Sequence, residues 1–212
     1  MTKPVQFTSG DLQLEGVLYA PDGEPTGAVV VCHPHPLRGG DMRNNVVTAA
    51  ARAIQAAGFA ALSFNFRGVG ASQGSHDEGR GEQDDVRAAL EYVRALEGVE
   101  HVGLAGYSFG AGMASVVAAA YDGSIPVALV SLPTTAPDVA ARLEAQAGPL
   151  LLMTGDADHV CAAEPLLLAA GSRPADATEV VIVPGVDHFW RGAEPLIEQH
   201  VAAFFTKHLG AA

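Results

Sequence analysis

Positive charge is scarce in this chain: among 212 residues, 12 lysines and arginines face 24 aspartates and glutamates, a formal net charge of −12 at pH 7. A surface of that sign repels the phosphates of nucleic acid, so no nucleic-acid partner is expected, and polyanionic substrates are mildly disfavoured. Cysteine is scarcer still. Cys32 and Cys161 are the only two, and in a chain read as cytoplasmic two separate buried thiols are expected rather than a disulfide. Cys32, His33 and His35 lie together at what reads as a strand end, but the second half of a zinc site is missing, so neither a metal nor another cofactor is expected. Long apolar runs are missing too. No stretch approaches the roughly 20 apolar residues of a membrane span, and Met1-Thr2-Lys3-Pro4 carries no apolar signal core. The expectation is a soluble, cytoplasmic protein without a membrane partner. With no internal repeat, low-complexity tract or linker in sight, residues 1–212 are read as one domain, and a homodimer is left open.

What is abundant is apolar and small: 49% of residues are hydrophobic, and mean hydropathy is +0.20, values that suit a packed interior and not a disordered chain. Val5–Thr8 and Leu12–Leu18 alternate apolar and polar residues around Ser9-Gly10-Asp11, the pattern of an antiparallel hairpin. Ala28–Cys32 is instead continuously apolar, as a parallel strand buried on both faces must be. Val46, Val47, Ala50, Ile54 and Ala57 follow at helical spacing, with Gly58 as the stop. Phe59–Phe66 reads as the next strand, then a glycine-rich loop from Arg67 to Glu82. A helix through Leu96 follows, with Asp84 and Asp85 in its first turn, favourable for its dipole. Further strands are expected at His101–Ala105, Pro126–Ser131, Gly148–Met153 and Val180–Val183, a short helix at about 137–146, and a closing helix marked by Leu196, Ile197, Val201, Phe204 and Phe205. Alternating strands and helices predict a doubly wound, mostly parallel α/β sheet with an antiparallel N-terminal hairpin, a fold that binds ligands outside the carboxyl ends of its strands.

Between the His101 strand and a small-residue helical stretch, Ala111–Ala120, stands Gly106-Tyr107-Ser108-Phe109-Gly110. It fits G-x-S-x-G in a strand–turn–helix context. A chain that turns so sharply must strain its central residue, and glycines two positions either side leave room for the turn. Ser108 is thereby presented at the carboxyl end of the sheet. A serine hydroxyl needs a base, and the base needs an orienting carboxylate. Met153–Val160 places Asp156 and Asp158 past one strand, and Val183–Phe189 places Asp187 and His188 past the next. The chain order Ser, Asp, His is the one used on α/β-hydrolase sheets.

On these segments, together with the His33-Pro34-His35-Pro36 and Asn65–Ser72 loops, the sequence resembles the α/β-hydrolases of the small, lidless serine-hydrolase type, similar to the dienelactone hydrolase and prolyl-peptidase-like branch. The resemblance covers nearly the whole chain. It implies a Ser108–His188–Asp158 triad, with Asp158 favoured over Asp156 because the family's acid falls three residues after a glycine, here Gly155. It also implies an oxyanion hole of backbone N–H groups, one from Phe109 and one from the loop after Ala28–Cys32. Pro34 and Pro36 have no N–H, so His35 and Leu37 remain, and the family loop favours His35. Leu37 and Trp190 are expected to line the substrate pocket, with Phe109 beside them. His33 is either a hydrogen-bonding support or a plain loop residue. Arg67 is read as a structural tie, since Gly68-x-Gly70 lacks the spacing of a phosphate-binding loop.

The reaction this implies is hydrolysis of small carboxylic esters of short acyl chains through an acyl-enzyme. Two other outcomes share the scaffold: an amide, peptide or thioester hydrolase on the same triad, and a non-catalytic protein that only holds a small molecule. Only a short connection lies between the strands at Pro126 and Pro149, so no cap domain is expected.

Overall fold

The computed structural model describes residues 1–136 and 138–210. Strand β1 (Thr2–Ser9) and β2 (Leu12–Tyr19) form the antiparallel hairpin, in register from Thr2 opposite Tyr19 to Ser9 opposite Leu12. The remaining strands are β3 (Gly27–Cys32), β4 (Ala60–Phe64), β5 (His101–Tyr107), β6 (Val127–Val130), β7 (Leu150–Gly155) and β8 (Thr178–Val183). They join one sheet of eight strands in the order β1-β2-β4-β3-β5-β6-β7-β8, parallel from β4 onward. Helices α1 (Asn45–Ala56), α2 (Arg80–Arg94), α3 (Phe109–Ala119), α4 (Val139–Ala145), α5 (Ala163–Ala170) and α6 (Glu194–Leu209) make the crossovers and close the chain.

Because side chains alternate across a strand, each buried strand feeds two cores. Val30, Leu62, Leu104, Leu129 and Leu152 point to the layer built by α2, α3, α4 and α5. Val29, Val31, Ala61, Ala105, Ala128 and Leu151 point to the other, built by α1 and α6 through Val47, Ile54, Ile197, Val201 and Phe205. This is the doubly wound architecture expected from the continuous apolar runs.

Two boundaries and one element differ from expectation. The β4 strand stops at Phe64, because Asn65 and Phe66 turn their polar groups to other tasks: Asn65 Oδ1 accepts from the Met42 N–H at 2.8 Å, and the Phe66 N–H donates to His33 Nε2 at 3.0 Å. Helix α2 starts at Arg80, so Asp84 and Asp85 are not in its first turn. The acid that starts this helix is Glu82, whose carboxylate accepts from the N–H groups of Asp77 and Gly79, each at 2.9 Å, satisfying backbone donors at the helix end. Asp85 is buried and forms a paired bond with Arg67, with the Arg67 N–H adding a third contact at 3.0 Å; the structural tie expected of Arg67 is made here. Helix α5 was not expected from the sequence at all. Pro137, placed at the start of the short helix that became α4, lies outside the described residues.

The connection from Val130 to Val139 is short, and among the described residues no domain is inserted above the carboxyl ends of the strands. Helices reach those ends only with their N-termini, so the space over β5 is left to loops.

Candidate active site

Strand β5 carries the chain into the centre of the sheet between β3 and β6, and the turn after Tyr107 exposes Ser108 above it. Ser108 has φ 54° and ψ −119°, a backbone region in which a residue with a side chain is strained. Two close approaches make the turn possible. A Cβ on Gly106 would fall 2.4 Å from the carbonyl oxygen of Gly110, and one on Gly110 would fall 2.3 Å from that of Cys32. Neither glycine is there for a positive φ; both are there because backbone passes where a methyl group would sit. The second contact also presses the start of α3 against the end of β3.

The side chains expected to cooperate do meet. His188 Nε2 lies 3.1 Å from Ser108 Oγ, and His188 Nδ1 lies 2.9 and 3.2 Å from the two oxygens of Asp158. With Nδ1–H donating to the carboxylate, Nε2 presents a lone pair to the serine hydroxyl. Asp158 is fixed by its own loop: Oδ1 accepts from the N–H groups of Val160 at 2.9 Å and Cys161 at 2.8 Å. Burial alone would raise its pKa, but the hydrogen bonds from His188 and from the Cys161 N–H outweigh that and hold the carboxyl at about 2. Asp156 is elsewhere, exposed and accepting the Gly185 N–H at 2.6 Å. Asp187 accepts the Phe189 N–H at 2.9 Å and takes no part either.

On the other side of Ser108, the N–H of Phe109 opens helix α3, where no earlier helical carbonyl can accept it. The loop after β3 stands above it, with the His35 ring 5.0 Å from that of Phe109. The Leu37 N–H is already engaged, donating to His35 Nδ1 at 3.2 Å, so of the two candidate donors on this loop only His35 has its N–H outside that bond. His33 holds the loop down. Fully buried, it hydrogen-bonds Pro34 O through Nδ1 at 2.6 Å and accepts the Phe66 N–H through Nε2. Burial lowers its pKa to about 4, so it stays neutral and keeps this tautomer. The choice left open at His33 thus falls to the hydrogen-bonding support.

Of the two expected pocket residues, Leu37 is 74% exposed on the loop after β3. Trp190 is not a pocket residue. It is completely buried in the α1/α6 layer, and its indole N–H donates to Ser131 Oγ at 2.9 Å. The indole packs where it buries most area and satisfies its only polar atom, leaving no face for a ligand. The exposed aromatic is its neighbour Phe189.

Several residues that matter here have no functional role in the sequence reading, which takes His76 as solvated or packed. Tyr107 Oη donates to the His188 carbonyl at 2.5 Å. Asn45 Nδ2 donates to the Phe189 carbonyl at 3.0 Å and to Glu194 at 2.8 Å. His76, on the loop before α2, packs its ring 5.7 Å from Phe109 and 5.1 Å from His35, with Nδ1 2.7 Å from Glu82. Tyr107 could have been suspected from its place inside the G-x-S-x-G motif; the others carry no local signal.

Known proteins share this fold. Residues 27–149 match the family described as alpha/beta hydrolase fold. A solved alpha-beta serine hydrolase homologue from Coxiella burnetii is 33% identical with a TM-score of 0.87, covering 95% of this chain and 96% of that one. A serine hydrolase without lid from Xanthomonas campestris is 30% identical with a TM-score of 0.88, covering 100% and 96%. An uncharacterized protein of Rickettsia prowazekii is 39% identical over 112 residues, 52% of this chain and 47% of its own length. The chain thus spans half or less of the curated relatives it matches.

Proposed function

This chain belongs to the alpha/beta hydrolase fold family, and from that premise we propose that it is a serine esterase acting on small carboxylic esters of short acyl chains. The observation that carries the proposal is the unbroken chain of contacts from Asp158 through His188 to Ser108, ending on a strained elbow residue.

Ser108 Oγ attacks the acyl carbon while His188 Nε2 takes the hydroxyl proton. Asp158, ionised because its pKa is held at about 2, keeps the Nδ1–H tautomer and stabilises the imidazolium. The N–H groups of Phe109 and His35 receive the negative charge that develops on the carbonyl oxygen, and donors aimed in advance are worth about 3 kcal/mol each in such sites. The imidazolium returns its proton to the leaving alcohol, and an acyl group remains on Ser108. Water, deprotonated by His188, then releases the acid. No cofactor takes part in these steps.

A fluorophosphonate probe together with p-nitrophenyl butyrate hydrolysis tests the proposal. Wild type should be labelled and active, and Ser108→Ala neither. Failure of the wild type to react with the probe would leave a binding protein on a hydrolase scaffold. A labelled enzyme that cleaves anilides or thioesters faster than matched oxygen esters would keep the triad and reassign the substrate.

A further inference from the structure

Cys161 is an unused nucleophile beside the site: a buried thiol whose Sγ lies within 4.8 Å of both a carboxylate oxygen of Asp158 and a ring nitrogen of His188. We propose that Asp158, Cys161 and His188 form an inhibitory site for Zn²⁺ or a similar thiophilic divalent cation, which switches the enzyme off by taking Nδ1 of the proposed base. The proposal rests on the reading of His188 as that base.

The donor set decides the ion. One thiolate, one imidazole nitrogen and one carboxylate oxygen suit Zn²⁺, whereas Mg²⁺ and Ca²⁺ take oxygen. Bond lengths of about 2.0 to 2.3 Å put ligand atoms of a tetrahedral zinc roughly 3.3 to 3.6 Å apart. His188 Nδ1 and Asp158 Oδ2, 2.9 Å apart, would open by a few tenths of an ångström, and the thiol, within 4.8 Å of both ligands, would close by on the order of 1 Å. The neighbouring backbone is braced for this, with the Cys161 N–H on Asp158 Oδ1 and the Cys161 carbonyl on the Thr154 hydroxyl, each at 2.8 Å. A divalent ion, one carboxylate, one thiolate and a neutral imidazole sum to zero charge, the condition under which a buried cluster is tolerable. The His188 side chain, 13% exposed, is the side of the cluster open to solvent.

Without metal the thiol stays protonated, because burial, with the Asp158 charge adding to it, pushes its pKa up to about 12. Metal entry costs that proton, which leaves to solvent as the sulfur–metal bond forms. The Nδ1 proton must also leave its nitrogen, and it is replaced at Nε2. The imidazole then donates to Ser108 Oγ where it previously accepted, and the hydroxyl loses its base. Spacing rules cannot find such a site, because its ligands come from the loops after two different strands, β7 and β8.

Two readouts test this. In wild type, micromolar ZnCl₂ should abolish p-nitrophenyl butyrate hydrolysis and EDTA should restore it. In Cys161→Ala and in the near-isosteric Cys161→Ser, each compared with its own metal-free rate, the half-inhibiting concentration should rise roughly 100-fold or more, as expected when a thiolate ligand is lost. Added Co²⁺ should give a thiolate-to-cobalt charge-transfer band in wild type and in the inactive Ser108→Ala, and none in either Cys161 variant. The Ser108→Ala arm does not depend on turnover, so it separates failure of the metal site from failure of the esterase reading. Absence of the band in wild type, or zinc inhibition that survives both Cys161 substitutions, overturns the proposal.

Discussion

Ser108 and His188 meet at 3.1 Å, yet opposite kinds of structure deliver them. Ser108 follows β5, a strand buried from Val102 to Tyr107 and hydrogen-bonded on both sides, and its position is set by backbone alone: a strained φ and two glycines that let main chain touch main chain. His188 follows β8, the outer strand of the sheet, most of whose residues are only partly buried. Among the described residues no ladder holds the far side of that strand. Side chains from three other elements hold the loop after it: Tyr107 on the carbonyl of His188, Asn45 on the carbonyl of Phe189, and Ser131 under the indole of Trp190. Two of these, Tyr107 and Ser131, lie at the ends of the inner strands β5 and β6. The proposed nucleophile is therefore built in, while the proposed base is tied on, and the ties run back to the strand that presents Ser108. The sheet fixes one half of the site and uses polar side chains to fix the other to it.

The severest way to break the pair is to remove either member. Ser108→Ala and His188→Ala should each lower ester turnover by roughly 10⁴ to 10⁶, and the double variant should be hardly worse than either, because the groups act as a unit. Losses that multiply instead would mean that the two residues do not work on the same proton. Asp158→Asn comes next. It preserves shape but lets the imidazole settle in the wrong tautomer, with an expected loss of about 10⁴ in kcat. Asp156→Asn should barely register, since that carboxylate serves Gly185.

The pH profile follows from the same carboxylate. Its pKa is depressed, so its ionised form, and the stability that goes with it, is fully present above the ordinary carboxylate range and is lost only as pH falls through about 2. His33, at about 4, is already neutral across the working range. Neither group should therefore add an ionisation of its own to log kcat/KM between about pH 5 and 8, and the acid limb should be no steeper than a slope of one. A slope of two, measured with an ester stable over that range, would mean that a second titrating group must be deprotonated for activity, and the isolated Asp158–His188 pair would be wrong.

Tyr107→Phe sharpens the contrast between built-in and tied-on. It removes one hydroxyl, leaves the elbow backbone intact, and unties the His188 carbonyl. A buried polar group left without its partner costs about 1 to 3 kcal/mol, and a base that wanders by an ångström costs up to about 10²-fold in rate. We expect kcat to drop by about 10- to 100-fold with KM little changed, while fluorophosphonate labelling of Ser108 slows in proportion. An unchanged kcat would show that Asn45 and Trp190 hold the loop without Tyr107.

The same division explains what could be read from sequence. Much of what local backbone fixes is legible: the hairpin alternation, the apolar run of Ala28–Cys32 and the two glycines around Ser108, whereas Asp158 over Asp156 rests on the resemblance to the family, whose acid falls three residues after a glycine. Helix α2 was misjudged because two adjacent acids, Asp84 and Asp85, imitate a dipole signal, while the true start depends on Glu82 reaching back to Gly79. Trp190 was misplaced because an indole next to a catalytic-looking histidine reads as pocket lining, and only the fold shows Ser131 waiting for its N–H. Asn45 and Ser131 carry no signal, since each meets its partner from a distant part of the chain and no spacing rule joins them, while Cys161 is legible as a buried free thiol but not as a neighbour of His188.

The smallest effect concerns the rim. Leu37 is 74% exposed and Phe189 58% exposed, on the loops after β3 and β8, and we propose that these two, one from the inner side and one from the outer, are the apolar rim an acyl chain meets. Among the described residues no cap stands over them, and an acyl chain can bury only its first few carbons against the two. Each buried CH₂ is worth about 0.8 kcal/mol, roughly fourfold in kcat/KM. Across a p-nitrophenyl ester series, kcat/KM should climb from two carbons to about four to six and then level off. Leu37→Ala should flatten the climb by about two- to fourfold at butyrate and leave acetate nearly unchanged, because an acetyl group is too short to reach the rim. Phe189→Ala, on the tied-on side, should flatten it as well but also loosen the loop that carries His188, so that its acetate rate falls too. Equal behaviour of the two variants would mean that the outer loop is as firmly held as the inner one, and a rate still rising at ten carbons would mean that a deep acyl channel exists where the structure offers only an open rim.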